Sequence, residues 1–191
     1  MKQEVAELLF ARLRDLAAAP DRSPQALQAA RPIGTAIDAL PARIVRSHRG
    51  DLEWLAQEHS LRGPAYAALP QLSVFGQEAV PTLLFLVDVG ASLRADRKKR
   101  PEDWQHPYLA GLTGLCRAGS SAAAAIPSLI ERVGWADILT GGSHGRLVVQ
   151  TLIRLGAPPV AVEAAFVGAG ARPEDIQRDL KQARLCNECT Y

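Results

Sequence analysis

Apolar positions recur at helical spacing from the first residues of this chain, and the pattern then repeats in long blocks. Val5, Leu8, Leu9, Leu13 and Leu16 fall on one helical stripe and leave Lys2, Glu7, Arg12 and Arg14 for solvent. Further on, four segments read as a helix ending in alanine or a hydrophobic residue plus glycine. They are Ala30 to Gly34, Leu72 to Gly76, Leu115 to Gly119 and Leu152 to Gly156, with the glycines 42, 43 and 37 residues apart. Each is followed by a proline that opens a second apolar helix: Leu40-Pro41, Val80-Pro81, Ile126-Pro127 and Pro158-Pro159-Val160. Upstream, Pro64 and Pro107 each stand twelve residues before their glycine, as if opening the first helix of the block, and His144 takes that place in the fourth.

The recurrence has physical content. Glycine just past a helix takes the left-handed cap conformation without steric cost. Proline at a first helical position loses no hydrogen bond and has its φ already set. Each block is then a helix pair that cannot cover its own apolar face, so the pairs stack. Pro173, followed by Glu174 and Asp175, opens a last helix with Ile176, Leu180 and Ala183 inside.

This helix, glycine turn and proline-started helix resembles the HEAT family of α-solenoid repeats. Residues 64–88 and 107–133 match best, and the first block departs because Pro32 sits within its expected first helix. The resemblance implies an all-α, right-handed α-solenoid of about four two-helix HEAT-like repeats with N- and C-terminal capping helices. It would form a single domain over 1–191, with caps at 1–22 and 172–185, repeats at 23–167 and a tail at 186–191. It also implies that the second helix of each pair lines a concave face that binds a partner.

Composition narrows the picture without naming a ligand. Of 191 residues, 48% are hydrophobic and 22% charged, which is globular rather than disordered. A net charge of +2 is too small to imply nucleic acid. No apolar run approaches the roughly 20 residues of a spanning helix, and the charged start Met1-Lys2-Gln3-Glu4 has no signal-peptide core. With three cysteines, an odd count that suits no disulfide framework, the expected location is cytoplasmic.

Aligned on their prolines, the second helices place Arg46, Glu131, Arg132 and Glu163 four or five positions on, and His48 and Asp88 at seven. The second block is almost wholly apolar there, from Val80 to Val87. The connections between blocks hold all three tryptophans and all four histidines, directly or just beyond, among them Trp104, His106, Trp135 and His144. Either these form a binding edge or each tryptophan plugs the junction between neighbouring units. No His-x3-His pair or HExxH motif marks a metal site, and no cofactor is expected. Gly141-Gly-Ser-His-Gly145 lacks the Lys-Ser/Thr of a phosphate loop. Cys186-Asn-Glu-Cys189 reads as a frayed tail with two thiols, and Cys116 as a small core residue.

The leading expectation is a non-catalytic protein–protein interaction module, an adaptor, scaffold or inhibitory (neutralising) partner, as small bacterial helical-repeat proteins can be. A second reading is nucleic-acid binding through Arg97, Lys98, Lys99 and Arg100 beside Trp104. A third is an enzyme on the Trp/His edge, which requires at least two of Asp103, His106, Asp137 and His144 to converge.

Overall fold

The structure is a computed structural model that describes residues 2–21, 23–96, 101–133, 143–185 and Cys189. Every regular element among them is helical. In chain order these are α1 (Lys2–Ala18), α2 (Pro24–Gln28), α3 (Ala30–Asp38), α4 (Ala42–Val45) and α5 (Arg49–Gln57), followed by a 3₁₀ segment, Tyr66–Ala79. Then come α6 (Val80–Ala95), α7 (Pro101–Ala118), the short 3₁₀ segment Gly119–Ala125 and α8 (Ile126–Arg132). The chain continues through α9 (Ser143–Leu155), α10 (Pro159–Gly168) and α11 (Pro173–Leu185).

These elements pack in two layers. In one, α1, α3, the Tyr66–Ala79 segment, α7, α9 and α11 each touch the next. The other holds α4 with α5, then α6, α8 and α10, with the Gly119–Ala125 segment linking α6 to α8. A single apolar cluster runs the whole length, from Phe10 through Leu52, Leu69, Leu86, Leu112 and Leu152 to Leu180. The prolines behave as expected: Pro81, Pro127 and Pro159 open α6, α8 and α10 within their first two positions, and Pro41 stands at the cap of α4.

Three of the four expected turn glycines have positive φ: Gly76 at 56°, Gly119 at 57° and Gly156 at 97°. At Gly156 the amide of Ala157 donates to the Leu152 carbonyl at 2.9 Å and the amide of Gly156 to Ile153 at 3.1 Å, a Schellman cap. Gly170, at φ 99°, closes α10 in the same way through Ala171 to Phe166 and Gly170 to Val167, both at 2.9 Å.

Several expectations are corrected. Gly34 lies inside α3 and ends nothing. A Cβ there would stand 2.8 Å from the Ala65 carbonyl oxygen, so it is small for close packing. The end of α3 is capped instead by the buried Gln71, whose side-chain amide donates to the carbonyls of Asp38 and Leu40. Pro64 lies in a turn, and Pro107 sits in the middle of α7, which begins six residues earlier at Pro101. On α1 the buried stripe is Ala6, Phe10, Leu13 and Ala17, while Val5 and Leu8 face outward at 45% and 69% exposure.

The stretch Tyr66–Arg94 is long and apolar enough to cross a membrane by length and composition, where the sequence reading found no such run. Gly76, at φ 56° and ψ −127°, breaks it into two pieces. Leu69 and Leu72 before the break and Leu83 and Leu86 after it are fully buried in the core. About a third of its membrane-length window is buried, 33%.

Candidate interaction face

The second-layer helices carry the residues expected to meet a partner, and the fold separates them into two kinds. Asp88 on α6 and Arg132 on α8 pair with each other. Arg132 Nε donates to Asp88 Oδ1 at 2.6 Å and an Nη to Oδ2 at 2.8 Å, while its other Nη reaches the Ser128 carbonyl at 2.7 Å. The fork clamps adjacent second-layer helices together, and the hydrogen bond to Asp88 pushes the guanidinium further into its charged form. Arg46 and Glu131 are exposed and Glu163 is half-buried.

Alongside this layer lies an open groove of about 850 Å³ between the first three blocks, with Arg46, Val74, Phe75, Glu78, Pro81 and Ser121 among its walls. Of these Arg46 was expected at the binding face, and Pro81 as the start of α6. Phe75 immediately precedes the glycine of its turn, so spacing marks it as the end of a helix while exposure leaves part of its ring uncovered. The Arg49 guanidinium stands 5.7 Å from the centre of that ring and also pairs with Glu53 and Glu78.

The tryptophan and histidine residues do not assemble into one edge among the described residues. His48 is buried at 6% exposure, stacked on Phe10 with ring centres 4.9 Å apart. Its Nδ1 is 2.9 Å from Asp51 Oδ2, so it belongs to the junction of α1 with α5 and is withdrawn from the expected binding face. Burial acts to raise the Asp51 carboxyl, but Arg14, at 2.6 Å, and His48 outweigh it and hold it below its ordinary range. Trp54 packs beside them against the core, with Arg14 lying 4.6 Å over its ring. That is a plug between elements.

His106 stacks parallel to Tyr66 at 4.3 Å, toward the preceding element of its layer. His144 meets the edge of Tyr108 at 6.1 Å, toward the following one. The two histidines therefore lie on opposite flanks of α7 and do not converge. Burial first, and then the nearby positive charge of Arg94, lower the His144 pKa from its ordinary 6.5. Burial drives the Tyr108 hydroxyl far above the usual tyrosine value. No group of three or more His, Cys, Asp or Glu side chains able to hold a metal occurs among the described residues. The Asp103 and Trp104 side chains, Trp135 and Asp137, and the basic run Arg97, Lys98, Lys99 and Arg100, lie outside what the structure describes.

Cys189 is not one of two free thiols, as its spacing from Cys186 suggested. Cys189 forms a disulfide with Cys116 across 73 residues, with the two Cα atoms 5.8 Å apart. Cys116 is fully buried and Cys189 is 8% exposed. The CxxC spacing drew attention to Cys186 and Cys189 as a pair, and nothing local to either linked them to α7. Compared with known protein families, with characterised proteins and with solved structures, the chain matches none.

Proposed function

We propose that this chain is a right-handed α-solenoid of four HEAT-like units between capping helices, and that it acts as a non-catalytic module binding another protein along its second-layer face. The observation that carries the solenoid is the contact between successive turns. Gln71 caps the first turn, at Asp38 and Leu40. A Cβ on Gly76 would lie 3.1 Å from Ser121 in the third turn, and one on Gly119 would lie 3.6 Å from the Arg154 carbonyl beside the fourth. Contacts of this kind between the turns support the stacking of successive repeats.

The binding role rests on what that stacking leaves at the surface. Arg46 just after α4, Glu131 on α8 and Glu163 on α10 remain accessible in the second layer, and Val160, also on α10, is 73% exposed. A mixed apolar and charged strip of this kind suits a protein surface. Affinity capture with the tagged chain from nuclease-treated lysate tests it, comparing the native protein with the double variant Glu131→Lys, Glu163→Lys. A stoichiometric protein partner lost from the variant supports the reading. An unchanged set of captured proteins, with the variant folded, refutes it.

A further inference from the structure

The final turn of α7 holds two tethers that skip a neighbour. Arg117 reaches back to Asp38 at the end of α3, with Nη–Oδ distances of 2.6 and 3.4 Å, across the intervening Tyr66–Ala79 segment. The adjacent Cys116 bonds to Cys189, which follows α11 in the chain, whereas by packing α7 touches α9 and α9 touches α11. In stacked helical pairs each unit otherwise touches only the next. A covalent link from one element to chain beyond the second-next one therefore constrains how α7, α9 and α11 rotate on each other. Among the described residues the main packing of α11 is on α9 and α10, and the disulfide adds a connection to α7.

We propose that the Cys116–Cys189 bond is a reversible thiol–disulfide exchange site, opened by a dithiol reductant that attacks Cys189, and that opening it uncouples α11 from α7. Exchange requires a thiolate to approach one sulfur in line with the sulfur–sulfur bond. Approach to Cys116 Sγ is closed, because that residue is fully buried in the core, whereas Cys189 retains 8% exposure. The first reductant thiolate bonds to Cys189 Sγ, the Cys116–Cys189 bond breaks, and Cys116 departs with the electron pair and takes a proton. The second reductant thiol then attacks its own sulfur in the mixed disulfide and releases Cys189 as a thiol. The reductant leaves as a cyclic disulfide, oxidised by two electrons, and the protein gains two thiols. Once open, α11 relies on its packing, chiefly on α9 and α10, and the element loosened is the one that closes the apolar cluster at Ile176, Leu180 and Ala183.

Peptide mapping without reductant comes first, on the Cys186→Ser protein so that only one pairing is available. The cross-linked peptide joining residues 116 and 189 is expected, and free thiols at both positions overturn the proposal. Brief exposure to glutathione then traps the mixed disulfide. It is expected on Cys189, and a glutathione adduct on Cys116 overturns the stated direction of attack. Finally, amide hydrogen exchange is compared with and without dithiothreitol. Exchange in α11 is expected to accelerate about tenfold or more on reduction while α1 and α3 hold their rates. Unchanged α11 rates, or equal acceleration in every helix, refute a local strap. Cys189→Ser, which leaves the core side chain in place, is expected to match the reduced protein and to ignore dithiothreitol. A remaining response in that variant also refutes the assignment.

Discussion

A methyl group added at Gly111 would lie 2.6 Å from the Leu83 carbonyl oxygen, 2.8 Å from Val87 Cγ2 and 3.0 Å from the Val87 amide nitrogen. Two of those three atoms are backbone, so α6 yields only by moving as a helix away from α7, against which it makes its most extensive contact. Overpacking of a tight interface costs about 1–3 kcal/mol, and the better helix propensity of alanine returns about 1 kcal/mol. Gly111→Ala is therefore expected to destabilise the protein by up to about 2 kcal/mol, a fall in Tm of up to about 4–8 °C for a chain of this size. Gly50→Ala is the matched control. Gly50 lies in α5, exposed, with nothing within 4 Å of an added Cβ, so the same chemical change there should be neutral or stabilising by up to about 1 kcal/mol. Thermal and urea unfolding followed by far-UV circular dichroism measures both. If Gly111→Ala proves as stable as Gly50→Ala, the close approach of α6 to α7 is wrong, and the two-layer packing with it.

Two further outcomes follow from the caps and the charges. Gln71→Leu keeps the volume but removes the donor to the Asp38 and Leu40 carbonyls; a loss of about 1–3 kcal/mol is expected, and a neutral urea midpoint would show that the end of α3 is satisfied otherwise. The lowered pKa of the half-buried His144 means that below pH 6.5 the unfolded chain takes up a proton before the folded one does. Its contribution is complete above 6.5 and is lost as pH falls toward the folded value. Asp51, also lowered, adds a loss of the same sign in a separate window, as pH falls through and below its ordinary 3.8. Urea midpoints between pH 7.5 and 5.5 should decline less in His144→Gln than in the native protein, and equal slopes would remove His144 from the account.

The all-helical character and several helix starts and turns were legible without coordinates, because each depends on interactions within a few residues. Proline at the first positions of α6, α8 and α10, and positive φ at Gly76, Gly119 and Gly156, are local backbone chemistry written in residue type. What local pattern cannot carry is the identity of a partner far along the chain. Gly34 looked like a turn residue because of its spacing, yet its lack of a side chain serves contact with Ala65, and the cap it was expected to supply comes from Gln71. On α1 the expected stripe ran through Val5, Leu8 and Leu13, and packing kept Leu13 but buried Ala6, Phe10 and Ala17 with it while Val5 and Leu8 turned outward. His48 became a core residue by stacking on Phe10, while Asp88 and Arg132 spent their charges on each other across 44 residues. The pairing of Cys116 with Cys189 belongs to the same class. A cysteine's partner is whichever other cysteine the fold delivers within bonding distance, and 73 residues of intervening chain leave no trace of that in the spacing. Periodicity and turn chemistry thus determined the helices and their order, whereas tertiary packing alone decided which side chains meet between them, since contact across the core depends on the position of every element at once.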